Sequence, residues 1–158
     1  MTTAIEKSNL KKRMLEACIV KQQSLIDDFK ERIKSLTETE GLGNEESYDN
    51  TELSIHASRI SEINALNQLL EFANREMNLL ENLKITQDLM QDQAIVGAVV
   101  ETDQKTFYIS ASIENFTVDG KSYIGISAHS PLFLEMSGKR KGDAFSFKSR
   151  TYSITDIF

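Results

Sequence analysis

The chain has 158 residues, with 40% hydrophobic and 27% charged side chains and a formal net charge of -6. This length suits one domain or two small modules. Residues 1–93 hold 17 acidic and 11 basic side chains, whereas residues 94–158 hold seven of each. Direct DNA or RNA binding requires clustered lysine and arginine, so this charge balance argues against it. We expect any contact with nucleic acid to be indirect, through another protein.

Residues 1–93 carry two apolar stripes with heptad spacing, which predict two long helices. The first stripe contains Leu15, Cys18, Ile19, Gln22, Leu25, Ile26, Phe29, Ile33 and Leu36. The second contains Ile63, Leu66, Leu70, Ala73, Met77 and Leu80. Between them, Gly41-Leu42-Gly43-Asn44 contains residues that accept left-handed backbone and end helices. The pattern predicts an antiparallel helical hairpin over 1–93 in a monomer, and an intermolecular coiled coil is the alternative.

The single cysteine and the lack of long apolar runs bear on the compartment. Cys18 has no second cysteine to pair with, and it lies on the first apolar stripe. This is typical of a small core residue in a reducing compartment. No run approaches the ~18 uncharged apolar residues of a membrane span. We therefore expect a cytoplasmic protein that does not associate with a membrane.

An acidic segment occupies the predicted tip of the hairpin. Residues 38–52 contain six carboxylates and no lysine or arginine. Such a segment can deliver oxygen ligands or negative charge to a partner. The simpler interpretation is a solvated run of charge.

Residues 94–158 follow a different pattern, made of short runs of β-branched and aromatic residues between turn signals. Ser130 can cap a helix that begins at Pro131 and ends near Gly138. We predict one short helix and at least five strands, over 95–100, 106–109, 123–126, 144–147 and 152–157. The predicted fold class is α+β, with a helical hairpin over 1–93 and an antiparallel β domain over 94–158.

Three motifs in the second part resemble the carboxy-terminal domain of bacterial Gre transcript-cleavage factors. They are Ile126-Ser127-Ala128-His129-Ser130-Pro131-Leu132, Gly138-Lys139-Arg140-Lys141-Gly142-Asp143 and Tyr152-Ser153-Ile154. The family pattern is close to I-S-x-x-S-P-[LI], then G-K-x-x-G-D, then Y-x-I. Its architecture, an antiparallel hairpin with an acidic tip and an FKBP-like β domain, is similar to the predicted layout over nearly the whole chain.

The resemblance extends to the tip, where the family reads close to G-D-L-x-E-N-A-E-Y-H-A-A-[KR]. Glu46-Ser47-Tyr48-Asp49-Asn50-Thr51-Glu52-Leu53 matches D-L-x-E-N-A-E-Y with the two acid types exchanged at the same spacing. On this alignment, Glu46 and Asp49 are the functional pair. The tetrapeptide His56-Ala57-Ser58-Arg59 resembles H-A-A-[KR] but lies two residues too far along. The alternative alignment, anchored there, places Tyr48 and Thr51 at the acid positions.

The resemblance implies a function in transcription. A Gre-like factor binds RNA polymerase, inserts its coiled coil into the secondary channel and stimulates cleavage of backtracked RNA. Glu46 and Asp49 would complete the second Mg²⁺ site of the polymerase, and the isolated protein would not be an enzyme. The β domain would dock on the polymerase, and we predict Ser130, Pro131 and Phe133 as partner-binding residues. The interpretations left open are a secondary-channel regulator without cleavage, a coiled-coil adaptor, and prolyl isomerisation by analogy of fold.

Other conspicuous side chains have simpler interpretations. His56 is in register with the second stripe, as a seam or surface histidine would be, and Tyr48 either stacks on a partner or packs locally. We expect a structural role for His129. The basic run 139–141 is expected to be a solvated turn and not a phosphate site.

Overall fold

The chain folds as an α+β protein, which confirms the predicted class. The computed structural model describes residues 3–41 and 50–158. Two long helices precede a six-stranded sheet and one short helix. The helices are α1 (Ala4–Gly41), α2 (Asn50–Thr86) and α3 (Pro131–Met136). The strands are β1 (Val99–Thr102), β2 (Thr106–Ser110), β3 (Asn115–Val118), β4 (Lys121–Ser127), β5 (Ala144–Phe147) and β6 (Arg150–Ile157).

Two compact units divide the chain, and each contains a part of both long helices. Unit 1 comprises Met1–Gln22 and Glu76–Phe158, and unit 2 comprises Gln23–Arg75. The sheet, α3, the first turns of α1 and the last turns of α2 therefore belong to unit 1. The predicted domain boundary between residues 93 and 94 stays a prediction.

A capping box explains where α1 begins. The backbone N–H of Glu6 donates to Thr3 Oγ1 at 3.1 Å, and the backbone N–H of Thr3 donates to Glu6 Oε2 at 2.8 Å. These two bonds satisfy donors that a helix amino terminus otherwise leaves unpaired.

The residues of the heptad stripes are buried or partly buried, as the sequence predicts, with Leu25 as the exception. In unit 1, Leu15, Cys18 and Leu80 are at most 1% exposed. The prediction for Leu25 was wrong, because this side chain is 42% exposed and Ile26 is buried at 2%. A helix of 3.6 residues per turn drifts against a seven-residue repeat, so the buried position moves by one residue along α1.

The sheet has the strand order β3-β4-β2-β1-β6-β5. Neighbouring strands are antiparallel, except that β2 and β4 are parallel to each other. The prediction of an antiparallel sheet was therefore wrong for this one pair. The strand β3 is not among the five predicted strands, and it turns back into β4 through Asp119 and Gly120 at φ of 52° and 79°. Left-handed backbone at both positions is typical of a tight hairpin turn. The predicted strand from residue 95 begins only at Val99, after Gly97 at φ 93°.

Both faces of the sheet are covered within unit 1. Alternation along a strand sends neighbouring side chains to opposite faces, as Val99 and Val100 show. One cluster joins Val99 to apolar side chains of α1 and α2, including Met14, Leu80 and Leu83. The other joins Val100 to Met136 of α3. The sheet is therefore the middle layer of unit 1.

Gly125 permits a close backbone approach in β4. A Cβ at this position would lie 2.8 Å from both the Cβ and the carbonyl oxygen of Ile113. The backbone N–H of Gly125 donates to that same oxygen at 2.7 Å. No larger residue fits here without moving the backbone.

Candidate functional site: the hairpin segment and the Ser-Pro face

The predicted acidic pair lies in the connection between the two long helices. Glu46 and Asp49, like Tyr48, fall within 42–49 and so lie outside the described residues. The helices on either side are described, and they end at Gly41 and begin at Asn50. A segment with three carboxylates, those of Glu45, Glu46 and Asp49, thus joins two helices of 38 and 37 residues.

Unit 2 contains an ion pair between its two helical segments. Arg32 Nη2 of α1 lies 2.6 Å from Glu62 Oε1 of α2. Both side chains are largely exposed, so the pair contributes only about 0–1 kcal/mol to stability. It nevertheless shows that the two helices lie side by side within one chain in this unit, as the predicted hairpin requires.

Ser130 and Pro131 shape the start of α3. Ser130 Oγ accepts a hydrogen bond from the backbone N–H of Phe133 at 3.1 Å, and Pro131 occupies the first helical turn. Serine at the cap satisfies a free helical donor, and proline has no amide hydrogen to lose there. Just before them, Ser127 Oγ accepts from the backbone N–H of His129 at 2.9 Å. The sequence motif therefore contains its own local hydrogen bonds.

The three apolar residues of α3 face different ways. Leu132 and Phe133 are partly buried against the cluster that contains Met136, whereas Leu134 is 68% exposed. The helical period could have shown this, because positions 132 and 133 share a face with 136 and position 134 does not. A partner contact at Ser130, Pro131 or Phe133 stays a prediction, and Leu134 is the most exposed of the three apolar side chains.

The basic run after α3 forms a hydrogen-bonded turn. The backbone N–H of Arg140 donates to Asp143 Oδ2 at 2.8 Å, and Arg140 Nη1 pairs with Asp92 at 2.6 Å. The backbone N–H of Ala94 donates to the carbonyl oxygen of Lys139 at 2.8 Å. The run therefore ties the segment after α2 to the segment after α3, and its interpretation as a turn is confirmed.

A buried lysine binds the segment that follows α2. Lys11 is 1% exposed, and its Nζ donates to the carbonyl oxygen of Leu89 at 2.9 Å. Burial lowers its pKa from 10.5 to about 8, because the charged form loses hydration. Beside it, hydrogen bonds from Lys12 and then Ser8 hold the pKa of Asp88 below its usual value. The burial of Lys11 could not be predicted from the sequence, since a lysine within a charged helix carries no signal of burial.

Cys18 is an inert core residue, as the sequence predicts. It is fully buried in the cluster that includes Leu15 and Leu80. Burial raises the pKa of its thiol to about 12, against smaller opposing effects of Ser110 and Lys21. A thiol that is not ionised is a poor nucleophile.

Metal and membrane sites are not found among the described residues. Over 3–41 and 50–158, no group of three or more His, Cys, Asp or Glu side chains could hold a metal ion. Within the same residues, no helix has the length and apolar character needed to cross a membrane. The Mg²⁺ prediction rests on Glu46 and Asp49, and it is therefore untested.

Among the solved structures that are similar to this chain are two of the transcription factor Gfh1. No family model and no curated protein matches the chain. A structure of the transcription factor Gfh1 is 17% identical, with a TM-score of 0.33, over 89% of this chain and 93% of that one. A structure of Gfh1 from Thermus aquaticus is also 17% identical, with a TM-score of 0.33, over 90% of this chain and 94% of that one. At this TM-score the matches decide neither fold nor function, and the fold follows from the helices and strands described above.

Proposed function

We propose that this protein is a Gre-like transcription elongation factor that binds RNA polymerase. One observation carries the proposal: the family motifs and a long helical pair with an acidic connection occur together in one chain. The connection 42–49 joins α1 to α2. The Ser-Pro and Gly-Lys motifs form the end of β4, α3 and the turn that follows. This is the order that the family architecture requires.

In the proposed mechanism the protein contributes ligands to the active site of the polymerase and is not itself the enzyme. The hairpin enters the secondary channel, where Glu46 and Asp49 present carboxylate oxygens. Mg²⁺ prefers such oxygens, and a pair of these ions stabilises the attacking water and the leaving oxygen of a phosphodiester. Cleavage of backtracked RNA follows from the chemistry of the polymerase.

The β module would dock outside the channel. We propose an FKBP-like role for this module in docking, with Ser130, Pro131 and Phe133 as the contact region. Because Leu134 is the more exposed apolar side chain, a docking surface on α3 would include it. The protein would act in the cytoplasm as a monomer, without membrane contact, and would meet nucleic acid only through the polymerase.

The test uses a stalled, backtracked elongation complex from the same organism. The variant is Glu46→Gln with Asp49→Asn, and the matched control is Glu45→Gln with Glu52→Gln. Both variants remove two negative charges from the acidic residues 38–52. They therefore separate an effect of the predicted pair from an effect of the total negative charge. We expect shortened RNA with the wild type and the control, and none with the Glu46/Asp49 variant.

A second function is favoured by the two-residue displacement of His56-Ala57-Ser58-Arg59 from the family pattern. If that tetrapeptide sets the alignment, Tyr48 and Thr51 replace the acids and the protein occupies the channel without cleavage. Polymerase binding without RNA shortening by the wild type would support this second function. Failure of the wild type to bind polymerase would overturn both functions and favour the adaptor.

A further inference from the structure

A groove of about 610 Å³ lies in unit 1 between the first turns of α1 and the sheet. None of the described residues of unit 2 or of the Ser-Pro motif lines it. The helix supplies Glu6, Lys7, Leu10 and Arg13. The sheet and its turns supply Glu101, Thr106, Asp119, Lys121, Ser122, Tyr123, Asp156 and Phe158.

Polar side chains form a row across the floor of the groove. In the strand register, Glu101 of β1 lies opposite Thr106 of β2 on one side and Asp156 of β6 on the other. The parallel pair of Phe107 with Ile124 brings Tyr123 of β4 beside Thr106. Neighbouring strands are about 4.8 Å apart, so side chains in one row can bind the same small group.

Three members of this row have no partner of their own. Among the residues that the structure describes, the side chains of Glu101, Thr106 and Tyr123 form no hydrogen bond or ion pair. Buried or partly buried polar groups are normally paired with protein or water. No buried side-chain oxygen among the described residues lacks a partner, so these three side chains meet solvent and offer acceptors at the groove.

Tyr123 is one of the side chains that line the groove. The residue is 5% exposed, and its ring packs against Phe116 with centroids 5.6 Å apart. Burial raises its pKa, and the nearby carboxylates of Glu101 and Asp119 raise it further. The side chain stays neutral at physiological pH, and its oxygen can accept a hydrogen bond.

The charge of the groove selects the kind of ligand. Its lining contains four acids, Glu6, Glu101, Asp119 and Asp156, and three bases, Lys7, Arg13 and Lys121. Two of the bases are already paired, Lys7 with Asp156 at 2.7 Å and Arg13 with Asp119 at 2.9 Å. Glu6, Glu101 and Lys121 remain outside these two pairs, which leaves one net negative charge on the lining and favours a cation over an anion.

We propose that this groove binds an organic ammonium ion, with Glu101, Thr106 and Tyr123 as its acceptors. An alkylammonium group has three N–H donors and no acceptor, which matches three acceptors in one row. The bond to Glu101 joins two opposite charges and is the strongest of the three. A free amine and a lysine side chain share this chemistry. The proposal does not depend on the transcriptional function.

The test is an amide NMR titration of the full chain with putrescine and, separately, with Nα-acetyl-lysine amide. We expect saturable shifts at the groove, at residues 101, 106, 122 and 123. Tighter binding of putrescine would identify a free amine as the ligand, and tighter binding of the lysine derivative would identify a protein side chain. Tetramethylammonium carries the charge without N–H donors, so it should bind at least about tenfold more weakly.

Variants identify the acceptors. Glu101→Gln should weaken amine binding by about tenfold or more, because the charged acceptor is lost. Tyr123→Phe removes one hydroxyl and should weaken binding by a smaller factor. Glu135→Gln is the matched control, since Glu135 is exposed on α3 and does not line the groove, and it should bind as the wild type does.

The proposal fails under any of three results. The first is the absence of saturable shifts with both amines at high millimolar concentration in a folded wild type. The second is equal affinity of Glu101→Gln and Glu135→Gln. The third is saturable binding of propionate at the same residues in preference to the amines, which would indicate an anion site. Preserved dispersion of the amide spectrum shows that each variant is folded.

Discussion

The two compact units bury their apolar side chains in different ways. In unit 1 a sheet separates two clusters, and helices cover both of its faces. In unit 2 the described buried apolar residues are Ile26, Leu66 and Ala73, all on the facing stripes of two helices. The large apolar side chains left exposed there are Leu25, Leu53, Ile55, Ile60, Leu69 and Phe72.

The difference shows how one heptad pattern gives unequal stability along its length. Hydrophobic stabilisation follows the apolar area removed from water, at roughly 25 cal/mol per Å². A pair of helices shields only one stripe of each, whereas helices packed on a sheet also bury a second surface. Unit 2 is therefore expected to open locally more often than unit 1, with faster hydrogen exchange.

The largest expected effect comes from Leu80→Ala in unit 1. Leu80 is fully buried beside Met14 and Cys18, and its truncation should lower the free energy of unfolding by about 3–5 kcal/mol through lost burial and a cavity. Urea unfolding followed at the amide signals of the sheet measures the loss. A loss below about 1 kcal/mol would contradict the packing described for this cluster.

A smaller effect is expected from Leu66→Ala in unit 2, which should cost about 2–3 kcal/mol, because Leu66 is 6% exposed in the seam. The control is Leu69→Ala on the same helix, where the side chain is 50% exposed and the change should stay within about 0.5 kcal/mol. Hydrogen exchange of unit 2 amides measures both. Equal effects of the two variants would mean that the seam does not stabilise this unit.

The smallest expected effect is a dependence on pH in unit 1, through Lys11. Its pKa is about 8 in the fold and 10.5 in the unfolded chain, so the unfolded chain binds more protons between these values. Stability therefore rises with pH across this window, as the penalty for the buried charge disappears. Since the pKa of Cys18 is raised from 9.0, the window from about 8 to 9 is the cleanest.

The measurement for Lys11 compares unfolding free energies of wild type and Lys11→Met at several pH values. The positive slope with pH should be present in the wild type and absent in the variant. Lys12→Met is the control. Because Lys12 is partly exposed beside Asp88, its replacement should leave the slope of stability with pH unchanged. A slope that persists in Lys11→Met would assign the effect to another group.

Much of the fold could be predicted from local patterns. The heptad stripes predicted both helices, and Ser130-Pro131 predicted α3. The misses have two causes. The drift from Leu25 to Ile26 and the outward position of Leu134 follow from the helical period and could have been predicted from the sequence, whereas β3 depends on pairing with β4.

The candidate sites also differ in how far the sequence predicts them. The residue types and spacing of Glu46 and Asp49 can be read in the sequence, because they belong to one continuous segment. The groove could not be predicted from the sequence, because Arg13, Glu101 and Tyr123 are separated by up to 110 positions in the chain (123 minus 13). Only strand register and the seating of α1 bring them together.

The sequence by itself determined the helices, most of the strands and their class of fold, because hydrophobic period, caps and turns act within a few residues of one another. The tertiary structure alone decided the parallel pairing of β2 with β4, the burial of Lys11 and the row from Tyr123 to Asp156. Each of these depends on contacts between distant segments, and local preferences carry no information about which distant segment will be the neighbour.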